Sequence, residues 1–176
     1  FAHKGLDLVI DAFAELPEQK LLICGPVDIE KRFTAAFQKP MYESANIETI
    51  GWVDITTDRF RDITRKTVAT LYPSCSEGGG GSVITCMHAG LIPVVTEEAS
   101  VDIGDTGITL QEATVGAVRD AVQRISETDG TELASRARSA WELARARHTR
   151  ENFATEYRRF VEKTVLPELE AKRTNR

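Results

Sequence analysis

Two spacings of apolar residues alternate along the chain. Runs of consecutive apolar residues predict strands buried on both faces, and apolar residues that recur every three or four positions predict amphipathic helices. The predicted strands are residues 20–25, 46–53, 67–74, 91–95 and 107–110. The predicted helices are residues 4–16, 28–39, 57–66, 82–90, 114–125, 130–147 and 149–166. This order predicts an α/β fold with a Rossmann-like, doubly wound parallel sheet and a helical C-terminus.

The composition indicates one globular domain. The chain has 176 residues, of which 41% are apolar and 28% charged, so we expect a single domain over residues 1–176. The net charge is −5, and basic residues do not cluster before the final segment AKRTNR, which argues against a nucleic-acid partner. No apolar stretch approaches the roughly 18 residues of a membrane helix.

The cysteines predict a reducing compartment. Cys24, Cys75 and Cys86 are odd in number, widely spaced and without the spacing of metal ligands. We therefore expect half-buried, reduced thiols in a cytoplasmic protein.

The first predicted helix has no strand in front of it. In a doubly wound sheet that strand would be central, and the chain begins at Phe1 rather than at Met. We therefore expect the chain to be part of a longer protein whose upstream sequence supplies this strand.

A glycine-rich loop marks the candidate site. Gly78, Gly79, Gly80 and Gly81 follow the third predicted strand and lead into a helix at Ser82. Uncovered backbone N–H groups and the positive end of a helix form an anion site, for which phosphate is the usual ligand. Ser82 caps this helix or turns its hydroxyl to the ligand. The loop matches neither a P-loop nor a dinucleotide fingerprint, and a flexible turn is the alternative interpretation.

Two charged residues add to the candidate site. Glu77 precedes the glycines, and a carboxylate accepts hydrogen bonds from sugar hydroxyls, so the pattern favours a sugar phosphate or sugar nucleotide. Lys4 lies at the start of the first helix, where a cation is unfavourable unless it faces an anion. Alternatively, Glu77 is a solvated loop charge and Lys4 an ordinary surface lysine.

The blocks HKGLDLVIDAF, KLLICGP, NIETIGWV and TLYPSCSEGGGGSVITCMHAGLIPVV occur in that order. Together they resemble the C-terminal domain of GT-B fold glycosyltransferases of group 1 (family 4), over most of residues 3–110. The order of the blocks is fairly specific, whereas no single block is. The resemblance implies that an N-terminal acceptor domain belongs to the whole protein and that a partner arginine lies upstream of Phe1.

The resemblance also implies roles for individual residues. It places Lys4 on the donor diphosphate and Glu77 on the hydroxyls of the transferred sugar. It implies that the backbone of Gly78 to Ser82 contacts sugar and diphosphate, and that the backbone of Val53 contacts the base.

One position departs from the family pattern. The family carries a second glutamate, for the nucleotide ribose, where this chain has Thr85, so the ribose contact here is one hydroxyl in place of a bidentate carboxylate. His88, one turn later, either packs against the fold or reaches the ligand.

The resemblance implies a retaining glycosyltransferase that moves a sugar from a nucleotide diphosphate sugar to a glycan or glycolipid acceptor, as in polysaccharide biosynthesis. It further implies no cofactor and no metal, a cytoplasmic location with peripheral contact at the inner membrane through the other domain, and weak donor binding without turnover for this chain alone. The alternative is a degenerate, non-catalytic module that binds a sugar nucleotide or forms a complex. A flavodoxin-like or response-regulator-like domain lacks support, because no acidic cluster for Mg²⁺ occurs at the predicted strand ends.

Overall fold

The computed structural model describes residues 1–174, in which strands and helices alternate before a helical C-terminal part. The strands are β1 (Leu21–Cys24), β2 (Ile47–Gly51), β3 (Ala69–Tyr72), β4 (Ile92–Thr96) and β5 (Ile108–Leu110). The helices of the alternating part are α1 (Leu6–Ala14), α2 (Lys31–Ala36), α3 (Gln38–Glu43), α4 (Asp58–Thr64) and α5 (Gly81–His88). The C-terminal helices are α6 (Val115–Glu127), α7 (Gly130–Arg147), α8 (Arg150–Phe160) and α9 (Leu166–Thr174).

All strand pairs in residues 1–174 are parallel. β1 pairs with β2, and β4 pairs with β3 on one side and β5 on the other. The predicted parallel α/β fold is therefore confirmed. The strands form two sheets rather than one, because β1 and β3 are not hydrogen-bonded to each other. The further strand expected before α1 stays a prediction.

Helices cover both faces of β4, as a doubly wound sheet requires. Val94 packs into a core with α1 and α6, whereas the next residue, Val95, packs into a core with α5 and α7. Successive side chains of a strand point to opposite faces, so these neighbours reach different helix layers. Every residue of β4 is buried, which agrees with its continuous apolar sequence.

Helix α1 joins the two sheets through one core. Its inward face carries Val9, Ile10 and Phe13, which are at most 3% exposed. The same core includes Leu21 of the first sheet and Leu110 of the second. The position of α1, and of the turn that precedes it, is thus fixed by packing against both sheets.

Two predicted helix ends are wrong. The helix predicted to stop before Pro40 is followed by α3, which contains this proline at its third position. Proline is tolerated in the first turn of a helix because the N–H groups there have no intrahelical partner. The last predicted helix does not end at residue 166. After α8 the chain forms a π-helical turn, Val161–Val165, and continues as α9. Within residues 1–174 no helix is both long and apolar enough to cross a membrane.

Candidate functional site

A close backbone contact brings the start of the chain to the end of β3. A 3₁₀ turn, Ala2–Lys4, leads into α1 through Gly5, whose φ is +72°. A Cβ atom at Gly5 would lie 2.2 Å from the carbonyl oxygen of Pro73, so the two segments meet at a distance that a side chain would prevent. This contact sets Lys4 beside the carboxyl end of β3, where ligands of open parallel sheets bind.

Lys4 and Glu77 form an ion pair at this edge. The Nζ atom of Lys4 lies 2.6 Å from Oε1 of Glu77 and 2.7 Å from the hydroxyl oxygen of Tyr72. The Tyr72 hydroxyl in turn donates to Oε1 of Glu77 at 2.8 Å. The Lys4 side chain is 35% exposed and that of Glu77 15%, so the pair is partly desolvated but open to solvent. The two residues therefore contact each other, and their roles toward a ligand stay a prediction.

The contacts shift the pKa of each partner. Hydrogen bonds from Lys4, and then from Tyr72, lower the pKa of Glu77. Burial by itself would lower the pKa of Lys4, but its hydrogen bonds to Glu77 and Tyr72 outweigh that effect and raise it. Burial raises the pKa of Tyr72. Near neutral pH the site therefore holds an ammonium, a carboxylate and a neutral phenol.

Hydrogen bonds fix the segment between β3 and Glu77. The buried Ser74 hydroxyl lies 2.9 Å from the His3 carbonyl oxygen and 3.2 Å from Oε1 of Glu77. The backbone N–H of Cys75 donates to the same His3 carbonyl at 2.9 Å. From the end of β4, the Thr96 hydroxyl donates to the Ser74 carbonyl. The backbone of Ser74 and Cys75, just before Glu77, is therefore held by His3 on one side and by Thr96 on the other.

The glycine loop ends at an uncapped helix N-terminus. α5 begins at Gly81 with Gly80 as its N-cap residue, and no side chain caps it. The prediction that Ser82 caps this helix is wrong, because the helix starts one residue earlier and Ser82 is its second residue. The N–H groups of Ser82 and Val83 lie in the first turn, where they have no intrahelical partner. Ser82 is exposed, so its N–H remains available to an anion, whereas Val83 is fully buried.

The glycines differ in what surrounds them. No atom lies within 4 Å of where a Cβ would stand at Gly78, Gly79 or Gly81. At Gly80, a Cβ would lie 2.8 Å from Cγ2 of Val101. Gly80 is thus needed for packing, whereas its neighbours leave backbone uncovered toward the site.

The two candidate residues farther along α5 have different surroundings. The Thr85 hydroxyl donates to the Gly81 carbonyl at 2.9 Å, which leaves it acceptor capacity for another group. His88 instead bonds through Nε2 to the His148 carbonyl at 3.1 Å, at the end of α7. His88 packs against the fold, and the alternative that it reaches the ligand is not supported.

Val53 is not hydrogen-bonded to the Lys4–Glu77 pair. It follows β2 by two residues, its side chain is buried, and the preceding Trp52 is exposed. Across residues 1–174 no hydrogen bond connects Val53 with Lys4, Tyr72 or Glu77. Its backbone contact with a base stays a prediction.

The cysteines are free thiols. Cys86 is half-buried as expected, but Cys24, at the end of β1, and Cys75, in the loop after β3, are exposed. In the part of the chain that the structure describes, no group of three His, Cys, Asp or Glu side chains is arranged to hold a metal ion. That transfer needs no metal stays a prediction.

Sequence reasoning missed Tyr72 and the His3 carbonyl. Tyr72 ends a strand that reads as apolar, so nothing in the pattern separates it from a core aromatic residue. The His3 contact is made by backbone, which residue types do not reveal. The sequence feature that could have indicated Tyr72 is its place directly before the loop that carries Glu77, since its hydroxyl can reach the edge of the sheet where Glu77 lies.

Comparison with known proteins shows what the chain is similar to. The profile of the family described as group 1 glycosyl transferases matches residues 1–128. No curated protein matches the chain. Among solved structures, the sucrose-phosphate synthase of Thermosynechococcus elongatus is 18% identical with a TM-score of 0.75, and the match covers 93% of this chain and 43% of that protein.

Two further structures contain ligands. Anabaena HepE in complex with UDP and glucose is 16% identical with a TM-score of 0.68, and the match covers 84% of this chain and 41% of HepE. Starch synthase IV of Arabidopsis thaliana bound to ADP and acarbose is 19% identical with a TM-score of 0.59, over 80% of this chain and 32% of the synthase domain. The chain thus spans less than half the length of these three structures, and at these identities they show the GT-B fold.

Proposed function

Because the chain belongs to the group 1 glycosyl transferases, we propose that its Lys4–Glu77 edge binds the diphosphate and sugar of a nucleotide diphosphate sugar. The observation that carries this proposal is the ion pair itself. A cation and a carboxylate meet 2.6 Å apart at the carboxyl end of β3, beside a glycine loop and an uncapped helix N-terminus. A cationic group and free N–H donors suit a diphosphate, and a carboxylate suits sugar hydroxyls.

Each part of the site has a separate task in this proposal. The Lys4 ammonium and the Ser82 N–H at the start of α5 bind the diphosphate, aided by the helix dipole. Glu77 accepts hydrogen bonds from the transferred sugar. The backbone of Gly78, Gly79 and Gly81 approaches the ligand because no side chain covers it. Val53 contacts the base through its backbone, and Thr85 accepts a hydrogen bond from the ribose.

The proposed reaction is retaining transfer of the sugar to a glycan or glycolipid acceptor. As the glycosidic bond breaks, negative charge grows on the departing diphosphate, and preorganised positive groups stabilise it. Lys4 and α5 supply these groups without a metal or another cofactor. The acceptor binds to a second, N-terminal domain of the whole protein, which is cytoplasmic and contacts the inner membrane through that domain.

Thr85 supports a second candidate, a non-catalytic module that binds a sugar nucleotide. Its hydroxyl already donates to Gly81, so toward a ribose it can only accept. A neutral hydrogen bond is roughly half as strong as one made by a carboxylate. Weaker ribose binding is compatible with a domain that holds a nucleotide or joins a complex without catalysis.

A thermal-shift screen tests the proposal. UDP, GDP, ADP and their glucose or mannose conjugates are added at millimolar concentration, and the melting temperature is measured. A ligand present at about 100 times its Kd stabilises the folded state by about 2.7 kcal/mol, which raises the melting temperature of a domain of this size by roughly 5–10 °C. We expect one base to give this shift. The proposal would be overturned if no nucleotide shifted the melting temperature of this chain or of the same chain fused to an acceptor domain.

A transfer assay separates the two candidates. We expect this chain alone to turn over no donor and the protein that includes the acceptor domain to transfer sugar. Donor binding without transfer in the larger protein favours the non-catalytic module, and transfer by this chain alone contradicts our assignment of the acceptor site.

A further inference from the structure

Tyr72 joins the two charged residues of the site, although the sequence analysis assigned it no role. Its hydroxyl oxygen accepts a hydrogen bond from Lys4 and donates one to Glu77. Its ring also lies near the ammonium, with Nζ of Lys4 5.3 Å from the ring centroid. The phenol is thus the shared neighbour of the cation and the carboxylate.

The three side chains leave particular atoms unused. Of the three N–H groups of the Lys4 ammonium, one is directed to Tyr72 and one to Glu77. Throughout residues 1–174, the hydrogen bonds of the Glu77 carboxylate go to Oε1, from Lys4, Tyr72 and Ser74. The third ammonium hydrogen and Oε2 of Glu77 therefore remain for a ligand while the ion pair stays intact.

We propose that Tyr72 is a positioning residue, whose hydroxyl holds Lys4 and Glu77 so that the third ammonium hydrogen meets the diphosphate and Oε2 meets the sugar. This inference rests on the proposed function of the same site. A lysine side chain has many rotamers, and ordering it before the ligand arrives removes part of the entropic cost of binding. Tyr72 therefore acts through Lys4 and Glu77, without touching the donor itself.

The competing interpretation is that Tyr72 fills space at the end of β3. Tyr72→Phe separates the two, because it removes the hydroxyl and keeps the ring. Tyr42→Phe is a matched control, since the Tyr42 hydroxyl also donates to a carboxylate, Asp28 at 3.1 Å, on an exposed surface with other neighbours.

Calorimetry measures the effect on binding. The probes are UDP with UDP-glucose, GDP with GDP-mannose, and ADP with ADP-glucose. We expect Tyr72→Phe to raise the Kd of the sugar conjugate about tenfold, because binding must then order the Lys4 side chain, and Tyr42→Phe to leave the Kd unchanged. Equal affinity of Tyr72→Phe and the wild type for the conjugate would overturn the positioning role.

A second measurement needs no ligand. The carboxyl carbon of Glu77 is followed by NMR against pH in the free wild type, Tyr72→Phe and Tyr42→Phe. Lys4 and Tyr72 are the titratable side chains that donate to this carboxylate, and the Tyr72 bond helps to lower the pKa of Glu77. Tyr72→Phe is therefore expected to move the titration to higher pH, whereas the titration would not change if Tyr72 only filled space with its ring.

The two measurements distinguish failure of this inference from failure of the proposed function. If no probe binds the wild type, the donor site is wrong, and the Glu77 titration still decides whether Tyr72 orients the pair. If a probe binds and neither its affinity nor the titration changes in Tyr72→Phe, the positioning role is wrong and the donor site stands.

Discussion

Lys4 and Glu77 are 73 positions apart in the sequence, and their charged atoms lie 2.6 Å apart. The pair forms because the turn before α1 meets the end of β3 at Gly5 and Pro73. A parallel sheet brings its loops to one edge, so the geometry that builds the fold also assembles the site.

Gly5→Ala is expected to destabilise the fold. The new Cβ would meet the Pro73 carbonyl oxygen at 2.2 Å, and the φ of +72° is strained for alanine. We expect a loss of about 1–3 kcal/mol in the free energy of unfolding, measured with urea. Gly130→Ala is the control, because nothing lies within 4 Å of its Cβ position at the start of α7, and it should be neutral or slightly stabilising. Equal stability of the two variants would contradict the close contact.

The ion pair predicts a pH dependence of stability. The pKa of Glu77 in the folded state lies below the ordinary value of 4.5, so its contribution is complete above about pH 4.5 and is lost as the pH falls through the lowered pKa. The pKa of Lys4 lies above the ordinary 10.5, so its contribution is complete below that value and is lost as the pH rises through the raised pKa.

Urea unfolding at several pH values between 3 and 7 checks the acid side. The stability advantage of the wild type over Glu77→Gln should be largest near neutral pH and should shrink as the pH falls below about 4.5. Glu127→Gln, at an exposed position on α6, serves as the control. An advantage that is constant over this range would mean that Glu77 is not held ionised by its neighbours.

Much of this arrangement follows from the sequence. Continuous apolar runs predicted the parallel strands, and the glycine loop after a strand predicted the site edge. The charge and position of Lys4 and Glu77 predict that both belong to the site. Their direct contact does not follow from the sequence, because it depends on how α1 packs against both sheets. The sequence does not single out Tyr72, because a tyrosine at the end of a largely apolar strand has the same pattern as a core residue.

The errors have local physical causes. Four consecutive glycines leave no side-chain signal for the first residue of α5, so the helix start was placed one residue late at Ser82. Pro40 predicts a helix end, but it lies in the first turn of α3, where a proline costs no hydrogen bond. Exposure of Cys24 and Cys75 depends on which elements cover them, which residue type alone does not determine.

Thr85→Glu is expected to tighten nucleotide binding. A carboxylate can accept from both ribose hydroxyls, so we expect the Kd of the matching nucleoside diphosphate to fall about tenfold. Thr85→Gln controls for side-chain size, and pyrophosphate, which lacks a ribose, should not gain affinity. Unchanged or weaker nucleotide binding by Thr85→Glu would indicate that Thr85 is adapted to its own ligand.

In the proposed site, Glu77 binds the hydroxyls of the sugar while Lys4 and α5 bind the diphosphate. Calorimetric titration of the wild type, Glu77→Ala and Glu98→Ala tests it most directly. Each protein is titrated with the nucleoside diphosphate that it binds and with its sugar conjugate. Glu98 is an exposed acid whose backbone carbonyl, which accepts from the N–H of Glu77, is kept in the variant.

We predict that the wild type and Glu98→Ala bind the conjugate more tightly than the diphosphate alone, and that Glu77→Ala loses this difference while it keeps or gains affinity for the diphosphate. If Glu77→Ala binds the conjugate as tightly as the wild type does, Glu77 does not contact the sugar and the account is wrong.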